Sequence, residues 1–542
     1  MYNLMSERWI PVRRKDGTEI LIRPAEIVDA HGSNPVVALS TVRPDFNAAL
    51  LQFLVGLVQT TFAPKDDEWF DLYEEPPTVE ELDRAFGTVS SAFELEGDGP
   101  RFLQDLEELD GEDLGIDRLL IEMPGEQTLK RNTDLFQKRA RVSRLCCPCA
   151  ATALFTLQTN APSGGRGHRT SLRGGGPLTT LVIGDTLWRS VWLNVLEPAA
   201  LGHHPLANRE RGGASVFPWC GPTRTSKQGE VTTPADVDPL QAFWGMPRRI
   251  RLHPDHRDGT VCDLCGKPAD EGVSHYRTKD SGVNYKNGWR HPLTPHTIDR
   301  KTGEPLPRHG SAGGLSYRHW TGLVQNDSER GEPARVVHHF RQSRHRDLPE
   351  VRLRLFASGY DMDNMKACGW YEAEMPLVYI EDTHRGAWEL ATRQIVRAAE
   401  QVAYSLRTAV RQALYKRPKD VPLERSLFTT IDSRFWQETE EAFLGTLTEI
   451  AAGVRDGTDL TEIKLGWLKI LRNKAELLFD EYSQARQIGA ADPKRIVDAL
   501  RSLRIFTAPS NRKIQEALGI EPPAKKDEMK KKRGRPPKEE IP

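Results

Sequence analysis

The 542-residue sequence predicts an α+β protein: a large, loop-rich mixed N-terminal domain (residues 1–380), an all-α C-terminal four-helix bundle (385–520), and a disordered basic tail (521–542). Three observations predict it. Apolar residues settle into a sustained helical period only after Arg385. Two CxxC pairs lie more than a hundred residues apart in a stretch rich in Gly, Pro, His and Arg. The last twenty-two residues carry almost no apolar side chains.

In chain order, Trp9–Val12 and Glu19–Ile22 flank Asp16-Gly17, a dipeptide suited to a tight primed hairpin turn. Phe46–Phe62 follows a helical period, with Leu50, Leu51, Leu54, Leu57 and Val58 on one broad face. Acidic and basic patches alternate without a period from Gly97 to Asn132, and glycines cluster from Pro162 to Gly176. Buried elements are expected at Leu178–Val182 and Leu187–Leu196, then loops and short strands over Pro205–Glu350.

The C-terminal helices read more sharply. Trp388, Ile395, Val402, Leu406, Val410 and Leu414 line one helix face. A second helix, starting near Asp432-Ser433, carries Phe435, Phe443, Leu447, Ile450 and Val454; a third carries Trp467, Leu471, Leu478 and Tyr482. A fourth opens with Asp492-Pro493, a cap and then a first-turn proline, followed by Ile496, Leu500 and Leu503. Antiparallel packing buries four such faces.

Charge nearly cancels: 75 Lys+Arg against 76 Asp+Glu, net -1, which excludes a uniformly basic nucleic-acid coat but not separate patches. The apolar run from Ala48 to Val58 is broken by Gln52 and Gly56 and is too short for a membrane span. No signal peptide is readable in Met1–Arg8, so a cytoplasmic location is expected.

Seven cysteines, five of them in two clusters, read as metal ligands in a reducing compartment. Cys146/Cys149 and Cys262/Cys265 each form a knuckle, and together they make a closed four-thiolate Zn2+ site that staples distant segments. Cys147 stays outside, His253 and His256 compete as ligands, and the bland alternative is a pair of core thiols. Four thiolates leave no coordination position for a reacting water. HExxH, GxxxxGK[ST] and a helix-opening GxGxxG are all absent, and Asp361-Met362-Asp363, His203-His204 and His338-His339 form no catalytic set. The sequence argues against an enzyme.

Ser163-Gly164-Gly165-Arg166-Gly167-His168-Arg169 and Arg173-Gly174-Gly175-Gly176 can bring backbone close to a phosphate or base edge, with arginines beside it; a glycine-rich surface turn is the alternative. Lys532-Arg533-Gly534-Arg535-Pro536 has the core of an AT-hook, in which Arg533 and Arg535 lie in a narrow A·T minor groove; a solubilising tail is the alternative.

These pieces, in order, resemble one family: the large subunit (CasA) of the type I-E CRISPR Cascade surveillance complex. The resemblance is carried by Asn3-Leu4 to Trp9-Ile10-Pro11-Val12 and by Asn132-Thr133-Asp134-Leu135-Phe136 ahead of the first knuckle. Ala150–Gln158, Ala161-Pro162, Leu172-Arg173-Gly174-Gly175 and Gly359-Tyr360-Asp361-Met362-Asp363-Asn364-Met365-Lys366 continue it.

The resemblance implies a non-catalytic subunit that recognises the protospacer-adjacent motif (PAM) in double-stranded target DNA. It implies help with duplex opening and R-loop formation, and recruitment of a helicase-nuclease. Partners implied are the crRNA-bound Cascade backbone and the small subunits. Carried across, the glycine loop is Ser163–Gly167, the lysine finger is Lys279 with Lys286 as second match, and the wedge is Asn364 and Met365, flanked by Lys366. Asn132–Phe136 contacts the crRNA-bearing backbone. Two departures stand out: the family wedge commonly presents glutamine where this chain has Asn364, and Arg166 interrupts the glycine loop. Rival readings are a zinc-dependent nuclease or hydrolase, and an architectural protein that binds DNA mainly through its tail.

Overall fold

Small antiparallel sheets surround one deeply buried helix in the computed structural model. It describes residues 2–65, 68–132, 141–165, 167–202, 213–286, 288–310, 313–327, 330–349, 351–423, 426–484 and 492–520. The chain divides into two units, Met1–Thr383 and His384–Pro542.

In the first unit, β1 (Ile10–Arg14) pairs with β2 (Glu19–Ile22) and β3 (Val36–Leu39) in the order β2-β1-β3. The β1–β2 turn differs from the expected primed form. Arg14 N–H donates to Thr18 O (2.9 Å), so three residues make the loop, and only Gly17 takes a positive φ, 89°. Asp16 instead accepts from Thr18 N–H at 2.8 Å.

The helix Pro44–Thr61 is buried nearly all round rather than on one face, with Gln52 and Gln59 inside as well. A helix enclosed on every side belongs at the centre of a core. Phe53 marks that centre: the rings of Trp9, Phe93, Phe102, Phe155 and Trp244 surround it edge-on at 5.5 to 5.9 Å.

β4 (Glu112–Gly115), β5 (Leu145–Cys146), β6 (Thr179–Ile183), β7 (Arg249–His256) and β8 (Glu271–Lys279) follow. β8 is the axis of the second sheet. Its whole length pairs with β7 on one side, and the other edge pairs with β4 and then β5. Long strands here correct the expectation of loops and short strands over Pro205–Glu350. Their apolar period is masked because Arg249 and Arg251 are buried in ion pairs with Asp105 (2.5 Å) and Glu108 (3.0 Å).

β9 (His296–Ile298) and β10 (Pro305–Pro307) form a short hairpin. β11 (Arg354–Asp363) and β12 (Lys366–Pro376) form a long one, with β6 pairing only along Arg354–Ser358, so the far half projects as two strands. Tyr360 Oη donates to Asp45 Oδ2 (2.5 Å) and fastens that projection to the start of the central helix.

In the second unit the described residues form the helices Asp382–Leu414, Ser426–Arg455, Thr461–Gln484 and Pro493–Phe506, and a short fifth, Arg512–Leu518, not anticipated from periodicity. Asn511 caps that fifth helix and Gly519 ends it at φ 62°. The second helix begins at Ser426, earlier than expected: Asp432 is no cap but a buried residue paired with Arg407 at 3.3 Å. Trp467 Nε1 donates to Ile395 O (2.9 Å), and Arg495 Nε donates to Ala413 O (2.9 Å), tying the third and fourth helices to the first.

Tyr360→Phe removes one buried hydrogen bond while Asp45 keeps its ion pair with Arg43. The expected loss is about 1 kcal/mol, read as a lower urea midpoint for the N-terminal unit's tryptophan-monitored transition.

Candidate metal centre and nucleic-acid interface

Two chain segments meet at the start of β8. Cys146 ends β5 and precedes the helix Cys147–Asn160, whose first turn holds Cys149. Cys262 and Cys265 lie in the β7–β8 connection, where Gly266 N–H returns to Cys262 O (2.9 Å) and takes φ 70°. The four Sγ atoms lie within 4.8 Å of one another, and Cys146 and Cys265 are 3.7 Å apart. Thiolates on a tetrahedral zinc ion, at about 2.3 Å each, stand roughly 3.8 Å apart, so donor type, number and spacing fit a metal ion of that kind. Hydrogen bonds among the thiols push Cys149 well above the ordinary thiol range and pull Cys262 well below it. Cys147 turns aside toward Glu271 O (3.8 Å), and His256 pairs with Asp258 (2.9 Å).

The junction is locked from behind. Asp263 Oδ2 accepts from Ser143 N–H (2.7 Å), Ser143 Oγ (2.8 Å) and Arg144 N–H (3.0 Å). The buried Arg144 guanidinium donates to Ala269 O (3.0 Å), Asp255 O (3.0 Å) and Asp270 O (2.9 Å), and also pairs with the Asp255 carboxylate.

At the far end of β8 lies the glycine loop. Ser163, Gly164 and Gly165 are exposed, and Gly165 and Gly167 take φ 88° and 80°. Ser281 N–H donates to Gly167 O (2.8 Å), and a Cβ on Gly167 would stand 2.7 Å from Asp280 Cβ, next to Lys279. A Cβ on Gly164 would likewise stand 2.6 Å from His168 Cβ and strike the Arg248 guanidinium, so packing disfavours any larger residue there. Burial pulls Arg248 down to about 10, and burial with the neighbouring Arg248 charge pulls His168 below its usual range. Lys279 ends β8 with its ammonium paired to Asp110. Lys286 is exposed, with its N–H on Thr232 O (3.1 Å).

The same loop runs on to the long hairpin. A Cβ on Gly176 would meet Met362 Cγ at 2.7 Å and Tyr360 O at 2.9 Å. Asn364 and Met365 form the two-residue turn closed by the Asp363–Lys366 pair; Asn364 takes φ 53° and Met365 is 55% exposed.

One expectation needs correction. Arg173 does not face a nucleic acid: it is buried and donates to Thr179 Oγ1 (2.9 Å), Thr294 Oγ1 (3.0 Å) and Gln52 Oε1 (2.7 Å). Burial alone pulls it down to about 9. Arg407 and Arg411 hold the helical unit together, the latter through Val421 O (3.2 Å). His339 pairs with Glu197 at 2.7 Å. Asn132 has φ 52°, whereas Thr133, Asp134, Leu135, Phe136, Arg166, His203-His204, Arg533 and Arg535 lie outside the described residues. Sequence reasoning missed Asp110, Lys227 and Arg248; the acidic run Glu107–Asp113 is the one signal that pointed there.

Comparison with known proteins places the chain first among CRISPR-associated proteins. Its fold matches Cse1 of Thermobifida fusca (18% identity, TM-score 0.69, covering 96% of this chain and 98% of that one). It also matches CasA of Thermus thermophilus (17%, 0.67, 93% and 99%) and a chain of a CRISPR RNA-guided surveillance complex (17%, 0.66, 93% and 99%). Residues 3–478 match the family model of CRISPR-associated protein Cse1. The chain belongs to the Cse1/CasA family, the large subunit of type I-E Cascade. Among the described residues, no helix is long and apolar enough to cross a membrane.

The purified protein is expected to hold one equivalent of zinc by elemental analysis. Arg144→Met removes a donor from the Ala269, Asp255 and Asp270 carbonyls, while the Asp255 carboxylate keeps its pair with Arg257 (2.7 Å), an expected cost of about 1–3 kcal/mol. Chelator should then strip the metal faster than from the unaltered protein. Unchanged release would uncouple Arg144 from the cluster.

Proposed function

We propose that this chain is the non-catalytic PAM-reading subunit of an RNA-guided antiviral complex in the cytoplasm. It reads the PAM in double-stranded DNA, promotes duplex opening and R-loop formation, and recruits a helicase-nuclease. One observation supports this most: the Ala161–Leu178 segment contacts both the end of β8, beside Lys279, and the base of the Asn364-Met365 turn. The nine steps from Gly167 to Gly176 span at most about 32 Å, the scale of a few base pairs and their backbone.

The parts divide the work physically. Exposed backbone at Ser163–Gly165 approaches the minor groove without side-chain obstruction, and Lys279 supplies a cation, with Lys286 as second candidate. Minor-groove donors and acceptors are degenerate, so such a reader tolerates several PAMs and leaves sequence to guide pairing. Exposed Met365 supplies apolar bulk to part base pairs, at a cost of a few kcal/mol per step, Asn364 adds a short amide, and Lys366 flanks them.

Resemblance assigns the backbone contact and the bundle, whereas cysteine spacing assigns the metal and local basic chemistry the further DNA contacts. Asn132–Phe136 contacts the crRNA-bearing backbone, and the C-terminal helices form a four-helix bundle facing the small subunits. Cys146, Cys149, Cys262 and Cys265 hold a structural Zn2+, and Arg166, Arg533 and Arg535 add DNA contacts. A metal-dependent nuclease is disfavoured because four thiolates fill a tetrahedral ion's coordination sphere.

The test is a titration of the assembled crRNA complex, with and without this subunit, on guide-matched duplexes carrying a correct or scrambled PAM. Affinity should depend on both subunit and PAM, and Lys279→Ala and Asn364→Ala should each weaken the correct target on the order of tenfold. Equal enhancement on both PAMs would sink the reading. Removing residues 521–542 should cost only PAM-independent affinity; losing nearly all binding would favour the architectural reading.

A further inference from the structure

The β7–β8 sheet end is basic and carries its own counter-charges. Asp105, Glu107, Glu108, Asp110, Glu112 and Asp113 run alongside it within nine residues. Arg249 meets Asp105 (2.5 Å), Arg251 meets Glu108 (3.0 Å), Arg277 meets Asp113 (3.1 Å), and Lys279 meets Asp110. Gly111 makes the approach possible, since a Cβ there would fall 1.9 Å from Thr278 O. The close ride of this strand on β8 delivers Asp110 to the Lys279 ammonium.

The pairs differ in depth. Asp105 and Arg249 are buried together and serve the fold. The Asp110 side chain is 84% exposed and that of Lys279 24%, at the end of the strand where the glycine loop lies. The Lys279 hydrogen bond, then a backbone hydrogen bond and the Lys279 charge, hold the Asp110 carboxyl below the usual range, and exposed Lys227 adds the smallest share. Lys227 is set there by Ser226, whose N–H and Oγ bond to Ser281 O (3.1 Å) and Gly282 O (2.8 Å).

We propose that Asp110 is an affinity-setting residue for the PAM site: it occupies Lys279 in the DNA-free protein and is exchanged for a DNA acceptor on binding. The proposal rests on the reading of Lys279 as a DNA contact. An ordinary phosphate is then no better a partner for Lys279 than the carboxylate it replaces. Asp110 therefore lowers affinity for correct and scrambled targets alike and leaves their ratio unchanged.

The experiment is a double-mutant cycle in the assembled complex, with Asp110→Asn, Lys279→Ala and the pair, titrated on both duplexes across a salt series. Asp110→Asn should tighten binding to both targets about two- to fivefold, the scale of an exposed ion pair. The slope of the salt dependence should not change, since Lys279 meets one DNA acceptor with or without the carboxylate. The tightening should vanish in the Lys279→Ala background. If Lys279→Ala weakens binding but Asp110→Asn changes nothing, the counter-charge is overturned and the PAM reading survives. Tightening that persists without Lys279 also overturns it, as a general charge effect. If Lys279→Ala alone has no effect, the reading of Lys279 fails and the counter-charge with it.

Discussion

The N-terminal unit depends on a junction between chain segments more than a hundred residues apart. Asp263 gathers the backbone before the first knuckle, Arg144 gathers the carbonyls around the second, and four thiols converge between them. β8 starts there. With nine residues at about 3.3 Å each, it carries that fixed point roughly 30 Å to Lys279. The thiol cluster at one end therefore fixes the register of Lys279 at the other. Slipping β8 by one residue would turn Lys279 to the opposite face.

The aromatic cage around Phe53 does a second, complementary job. It brings the first strand, the helix that begins at the thiols and the 3-10 turn before β7 onto one buried helix. Glycines then let backbone pass where side chains would collide. Gly164 and Gly176 sit against Arg248 and Tyr360, so the loop joining the end of β8 to the long hairpin is clamped at both ends by packing rather than left to wander. That pre-organisation limits the ordering entropy that binding must overcome.

Much of this was legible residue by residue, and the failures share a cause. Helical period found the long C-terminal helices, because burial on one face leaves a repeating mark. It misplaced the start of the second, because Asp432 looks like a cap until Arg407, one helix away, is known to be its partner. β7 and β8 read as loops for the same reason: Arg249 and Arg251 break an apolar alternation that only Asp105 and Glu108, some 140 residues earlier, make compatible with burial. Arg173 was read as a surface contact, yet its partners Gln52 and Thr294 flank it at separations of 121 residues each. The knuckles were visible since cysteine spacing is local, and two knuckles already implied the convergence that the four clustered thiols bear out.

The turn at the hairpin tip bears on the identity of the amide at its first position. Asn364 holds a left-handed backbone, a conformation that asparagine tolerates and most longer side chains resist. Its identity thus answers to chain geometry first. A glutamine there would lengthen the reach by one methylene but strain the turn that presents it. Comparing such tips by side chain alone therefore mixes two variables, and backbone conformation at this position is the one to match first.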